Sequence, residues 1–112
     1  MKKKDRVTKN EDFAKIVKTG KTRKNESFTI HTLRNTLNRT RVGISVSSRL
    51  GSAVVRNRIK RQVRSMCDAF VDYNSYSLDL VIVVKQQFMA NDFSTNSDLL
   101  KSLILLIKET AK

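Results

Sequence analysis

Residues 52–72, SAVVRNRIKRQVRSMCDAFVD, constrain the fold of this chain more than any other stretch. Val55, Ile59, Val63, Met66, Cys67 and Phe70 recur at helical spacing, so one face of a helix must be buried. Ser52 is a natural N-cap, which sets the expected helix at about Ala53 to Asp72. The same stretch carries Arg56, Arg58, Lys60, Arg61 and Arg64. At about 100° per residue, Arg56, Lys60, Arg64, Asn57 and Arg61 fall on one contiguous arc beside the apolar one. Arg58 and Gln62 lie off to the side. Like charges at i,i+4 repel, so the compensating negative charge is expected from outside the chain.

The charge of the whole chain is distributed in the same sense. The 112 residues carry a net +13. Residues 1–67 hold 19 Lys and Arg against four acids, whereas residues 68–112 hold four against six. From Ser27 to Cys67 there are nine basic residues and no acid. Solubility alone requires no such segregation. Nucleic acid is the first candidate partner, ahead of anionic lipid and acidic proteins. Guanidinium forks pair bidentately with phosphate, and Asn57 can donate and accept beside them. The plain alternative is a solvated helix face with no partner. A membrane-surface helix fits poorly, because the apolar face is needed for the core and carries no interfacial Trp.

No apolar run approaches the roughly 18 residues of a membrane span. The basic start, Met1-Lys2-Lys3-Lys4, leads into no signal-peptide core. A single cysteine allows no internal disulfide, which suits a reducing cytoplasm. The length suits a single domain over residues 1–112.

Elsewhere the elements are short. Asn10 is expected to cap a helix to about Thr19, with Phe13, Ile16 and Val17 as its stripe and Gly20 as its C′ residue. Lys21–Lys24 can form a short edge strand. Ser27–Arg34 alternates, with Phe28, Ile30 and Thr32 opposite Thr29, His31 and Leu33. Arg39–Ser47 alternates too, with Val42, Ile44 and Val46 inward and Arg41, Gly43, Ser45 and Ser47 outward. Across the turn at Asn35–Asn38 these two strands are expected to form a hairpin. Leu80–Val84 is a continuous β-branched run, as in a strand covered on both faces. Ser94–Ser97 is expected as turn and cap. A last helix from Asp98 to about Ala111 should turn Leu99, Leu100, Leu103, Leu106 and Ile107 inward. The order is α+β, a sheet with helices packed on it.

Arg41, Ser45 and Ser47 around Gly43 offer either a backbone-approach surface or an ordinary solvent face. Phe13, Val17 and His31 can line a groove between the first helix and the sheet, where a base can stack. They can equally be core and surface residues. Cys67 is expected as a small buried hydrophobe. His31 has no Cys or His companion, so no zinc site is expected. No nucleophile grouping and no phosphate loop is present, so no catalytic group is expected from the protein.

RVGISVSSRLGSAVVRNRIKRQVR, Arg41 to Arg64, closely resembles the signature of the protein subunit of bacterial ribonuclease P, and KNEDFAKIVKTG, Lys9 to Gly20, resembles its first helix. The resemblance implies an α-β-β-β-α-β-α sandwich with a mixed sheet and a left-handed β-α-β crossover, against the usual handedness. It implies that the catalytic RNA of ribonuclease P is the partner and that the complex removes the 5′ leader of precursor tRNA. The RNA, with Mg2+, would perform the hydrolysis. Arg56, Asn57, Arg58, Lys60, Arg61 and Arg64 fall on the motif that contacts the RNA, with Arg41, Ser45, Ser47 and Arg49 beside it. Phe13 falls on the first aromatic of the leader cleft. Val17 stands where an aromatic is common, His31 where Tyr or Phe is common, and Ser48-Arg49 where Lys-Lys is usual. A ribosomal or chaperone-like RNA binder is the alternative. A duplex-DNA reader fits least, because the basic helix is partly core and no dimer element is visible.

Overall fold

A computed structural model describes residues 1–110. The elements are α1 (Asn10–Thr19), β1 (Lys21–Lys24), β2 (Phe28–Arg34), β3 (Arg41–Ser45), α2 (Ala53–Phe70), β4 (Leu78–Val84) and α3 (Phe93–Thr110). Short 3-10 turns lie at Lys3–Asp5, Ser48–Leu50 and Gln86–Ala90.

The four strands form one sheet in the order β1-β2-β4-β3. β4 runs antiparallel to β2 and parallel to β3. The expected β2–β3 hairpin is therefore absent. The strand with the longest unbroken apolar run takes the centre, where both edges pair and both faces are covered. β3 and β4 are parallel neighbours joined through α2, which is the crossover unit the resemblance implies.

On one face Phe28, Ile30, Val42, Leu80, Ile82 and Val84 meet Ile59, Val63, Met66 and Cys67 of α2 and Leu100, Leu103, Ile104 and Ile107 of α3. On the other, Val81 packs with Ile16 of α1 and Val7, with Phe13, Leu33 and Val83 around them.

Several local expectations are corrected. α1 has no side-chain cap, and Lys9 occupies the cap position. Gly20 is extended, with φ −74°, rather than left-handed. α3 begins one turn early, capped by Asp92, whose Oδ1 accepts the Thr95 N–H at 2.8 Å. Of the residues expected inward, Leu100, Leu103 and Ile107 are buried and Leu99 is half-buried, while Leu106 stays 46% exposed and Ile104 is buried instead. Five apolar residues in a row left the helical phase open, and Asn96 and Leu100 fix it. Ala111, in the expected last helix, lies outside the described residues.

Gly51 sets the entry to α2. Its φ of 147° is a conformation L side chains rarely adopt. Ser52 Oγ then accepts the Val55 N–H at 3.4 Å and caps the helix as expected.

Candidate nucleic-acid interface

α2 buries Ile59, Val63, Met66 and Cys67 and turns its basic residues outward. Asn57, Arg58 and Arg61 are exposed, and Arg56, Lys60 and Arg64 are half-buried at the edge of the sheet. Among the described residues, the ion pairs join Met1 to Asp68, Arg39 to Asp5, and Arg41 to Asp79 and Asp12. None reaches a cation of α2. The Nε of Arg56 is buried and has no hydrogen-bond partner among the described residues. A buried donor left without an acceptor is unusual in a native fold. The stripe is thus a set of strong donors whose acceptors are not supplied by the described residues.

The stripe borders a groove. The N-terminal segment lies along the outer edge of β3, with the Val7 N–H donating to the Val42 carbonyl at 3.1 Å. Between this segment, β3 and α2 is a cavity of about 220 Å³, lined among others by Arg6, Thr8, Phe13, Gly43, Lys60 and Arg64. Two of the expected RNA-contact residues, Lys60 and Arg64, therefore share one surface with the expected cleft aromatic. Arg6 and Thr8 were not singled out from the sequence, because nothing in the local pattern there shows that the segment runs along a strand edge.

The sheet under α1 explains how Phe13 is held. Thr22, His31, Val81 and Gly43 form one cross-strand row, and Lys24, Thr29, Val83 and Ser45 form the next. Phe13 lies over Gly43: a Cβ built there would come within 2.5 Å of Phe13 Cζ. Glycine is what lets the ring settle on the strand. Phe13 is half-buried, leaving part of the ring accessible. Val17 is 44% exposed on the same helix. His31 is half-buried, and its Nδ1 is hydrogen-bonded to Thr22 Oγ1 at 3.0 Å. Phe13, Val17 and His31 lie on the α1 side of the sheet, and of the three Phe13 lines the cavity beside α2.

Arg41 is ion-paired within the chain. Its Nε and Nη2 donate to Asp79 Oδ1 and Oδ2 at 2.9 and 2.7 Å, and Asn35 Nδ2 donates to the same carboxylate at 2.8 Å. Hydrogen bonding to Asp79 holds the guanidinium above its ordinary pKa, against the lowering effect of burial. Its charge is neutralised inside the fold, so it serves the sheet rather than offering a free cation. Asp79 is the one acid in an otherwise apolar strand, which marks it as a paired group without showing its partner. Ser45 is half-buried beside the groove. Ser47 Oγ accepts the Arg49 N–H at 3.2 Å, and Arg49 itself is exposed with no ion-pair partner among the described residues.

Two titratable groups lie beside α2. Burial pushes the Cys67 thiol up to about 12, which makes it a poor nucleophile at neutral pH. Desolvation works to raise the Asp68 carboxyl. The hydrogen bonds it accepts from the Met1 ammonium and the Tyr73 hydroxyl outweigh this and hold it below its ordinary value. Among the described residues no three His, Cys, Asp or Glu side chains gather as a metal ion would require.

The comparisons with known proteins agree with one another. The family model described as Ribonuclease P matches residues 1–108. A ribonuclease P protein component of Listeria welshimeri is 38% identical over 109 residues, covering 96% of this chain and 89% of the relative. One from Mesoplasma florum is 37% identical, covering 94% and 96%. Among solved structures, the RNase P protein of Staphylococcus aureus superposes with a TM-score of 0.84 at 30% identity, covering 93% of this chain and 95% of that one. The RNase P protein of Thermotoga maritima gives 0.77 at 30% identity, covering 88% and 93%.

Proposed function

This chain belongs to the ribonuclease P protein family, accessory subunits of an endoribonuclease that processes tRNA 5′ ends, and on that premise we propose a division of labour across its surface. The α2 stripe docks on the catalytic RNA of ribonuclease P, with Arg56, Asn57, Lys60, Arg61 and Arg64 taking backbone phosphates. Arg49 and the hydroxyls of Ser45 and Ser47 extend the basic surface toward the helix entry. The groove between α1 and the sheet takes the single-stranded 5′ leader of precursor tRNA. There Phe13 gives one base a stacking face, and Val17 and His31 line the same side. Residues 1–112 act as one domain in this role, in the cytoplasm.

The observation that carries this is the continuity of the two surfaces. Lys60 and Arg64 of the stripe and Phe13 of the cleft line one groove. A strand of RNA held by phosphates along α2 would place a base beside the ring. Phosphate contacts supply affinity and position, and stacking supplies grip on an unpaired base without demanding its identity.

Catalysis is assigned to the RNA. Mg2+ requires oxygen ligands in near-octahedral geometry and is usually held by one or two carboxylates together with phosphates. Asp5, Asp68 and Asp79 are each paired with a cation or ammonium of the chain itself. The donor set does not fit a protein magnesium cage. What the chain contributes is positive charge that lets RNA phosphates approach at lower magnesium concentration.

Phe13→Ala tests the cleft. Affinity for precursor tRNA is expected to fall by about 1–3 kcal/mol, with affinity for mature tRNA unchanged. Equal losses for both substrates would make Phe13 a packing residue only.

A further inference from the structure

The flank of α2 beyond the stripe also forms a groove. At about 100° per residue, Arg58 stands about 60° beyond Arg61 at the edge of the stripe, and Gln62 about 40° further on. Arg58, Gln62 and Val55 form one wall of a cavity of about 210 Å³, and Met89, Asn91 and Phe93 form the other. Met89 and Phe93 are 50% and 47% exposed.

The ledge that carries them is fixed from beneath. Asn96 Nδ2 donates to the Phe88 carbonyl at 3.0 Å, Ser27 Oγ donates to Asn96 Oδ1 at 2.8 Å, and Asn91 Nδ2 donates to Ser27 Oγ at 3.2 Å. The Phe88 ring packs edge-on against Phe28, with centroids 5.7 Å apart. Asn96 and Ser27 are fully buried, and buried polar groups that are satisfied rigidify what they connect. Two large apolar side chains are thus held half in water by a rigid support, opposite an arginine with no ion-pair partner among the described residues.

We propose that this groove seats one unpaired nucleotide of the RNA subunit, with its base against Phe93 and Met89, its edge met by Gln62 and Asn91, and its phosphate on Arg58. This rests on α2 binding RNA, and adds a contact on the flank of the helix beyond the Arg61 edge of the stripe. Charge selects the occupant: from Ser27 to Cys67 no acid faces Arg58 from its own stretch of chain, and an aromatic beside a free guanidinium is a stacking platform for a base. The nearest acid on the ledge, Asp92, accepts the Thr95 N–H as the cap of α3 and is not among the residues that line the cavity. That leaves the phosphate to the Arg58 end and the base to the Phe93 end. Asn91 uses its amide N–H on Ser27, so its carbonyl oxygen remains as an acceptor.

The chain has no tryptophan, so Phe93→Trp is a single reporter in the intact protein. Titration with a bacterial ribonuclease P RNA is expected to quench its fluorescence through base stacking, and Arg58→Ala in that background to shift the quench to higher RNA concentration. Phe93→Ala is expected to weaken RNA binding by roughly 5- to 100-fold, with an unchanged melting temperature. Unchanged fluorescence while a gel shift reports binding, together with wild-type affinity for Phe93→Ala, would overturn the proposal. So would a quench that appears without RNA and tracks protein concentration and dimer formation in sedimentation. Arg61→Ala and Arg64→Ala separate the two surfaces. If they lose affinity while the reporter stays silent, the groove alone fails. If they bind as wild type while the reporter is quenched, the stripe fails and the groove stands.

Discussion

Gly43→Ala is expected to act through Phe13 and through nothing else. The added Cβ would lie 2.5, 2.8 and 3.2 Å from Phe13 Cζ, Cε1 and Cε2, all closer than ordinary carbon contacts. The ring must move or the strand must bend. Overpacking of this kind costs about 1–3 kcal/mol. Against it stands the smaller entropy of the unfolded alanine chain, which contributes about 0.4–1 kcal/mol where the backbone tolerates it. A net loss of about 1–2 kcal/mol follows. In a Phe13→Ala background the ring is gone, and Gly43→Ala should be neutral or stabilising by about 0.4–1 kcal/mol. Urea denaturation of the four proteins closes a double-mutant cycle, with an expected coupling of about 1–3 kcal/mol. Binding adds a second readout: Gly43→Ala should reduce precursor tRNA affinity more than mature tRNA affinity, because the displaced ring no longer stacks. An equal stability loss in both backgrounds would refute the assignment of Gly43 as the seat of Phe13.

Three further outcomes follow from other sites. Arg61→Ala and Arg64→Ala should each make the salt dependence of RNA binding shallower by roughly 0.7–0.9 in log–log slope, while stability in urea stays within about 0.5 kcal/mol of wild type, since neither arginine has an ion pair among the described residues; an unchanged slope would remove them from the interface. Asp79→Asn should cost about 3 kcal/mol in urea denaturation, the low end for a broken buried pair because the Arg41 side chain keeps 21% of its exposure; a loss below 1 kcal/mol would show that the pair is replaceable by water. Asp68 has its folded pKa held below the ordinary value near 3.9, so its contribution is present above that value and is lost as pH falls through the folded one. The stability gap between wild type and Asp68→Asn should therefore be flat between about pH 5 and pH 7 and close on further acidification, with a size under about 1 kcal/mol for so exposed a carboxylate. A gap that widens on acidification would reverse the sign of the linkage.

Much of this fold was legible from residue spacing. Val55, Ile59, Val63 and Met66 gave α2 its buried face, and the same helical phase placed the stripe. The continuous run Leu80–Val84 announced a strand covered on both sides. Pairing was not legible, because alternation tells which face a residue takes and is silent on which strand lies beside it. Ser27–Arg34 and Arg39–Ser47 are consecutive and alternate, so a hairpin was the local inference; the order β1-β2-β4-β3 is decided by β4 needing two partners. The phase of α3 was ambiguous for a related reason, since Leu103–Ile107 is apolar all round. At the interface, the unpaired cations of α2 were readable from the lack of acids between Ser27 and Cys67. The commitment of Arg41 to Asp79 was not, because the two lie 38 positions apart and meet only across the parallel β3–β4 register. The contributions of Arg6 and Thr8 likewise depend on the N-terminal segment lying along β3.

The most direct test of the central claim is cleavage of a precursor tRNA by a bacterial ribonuclease P RNA at limiting magnesium, with and without this protein. Restored cleavage at the mature 5′ end is the expected result, with Arg61→Ala and Arg64→Ala requiring more protein to reach it. Binding to the RNA with no change in cleavage rate or position would contradict the assignment and leave a generic RNA-binding surface.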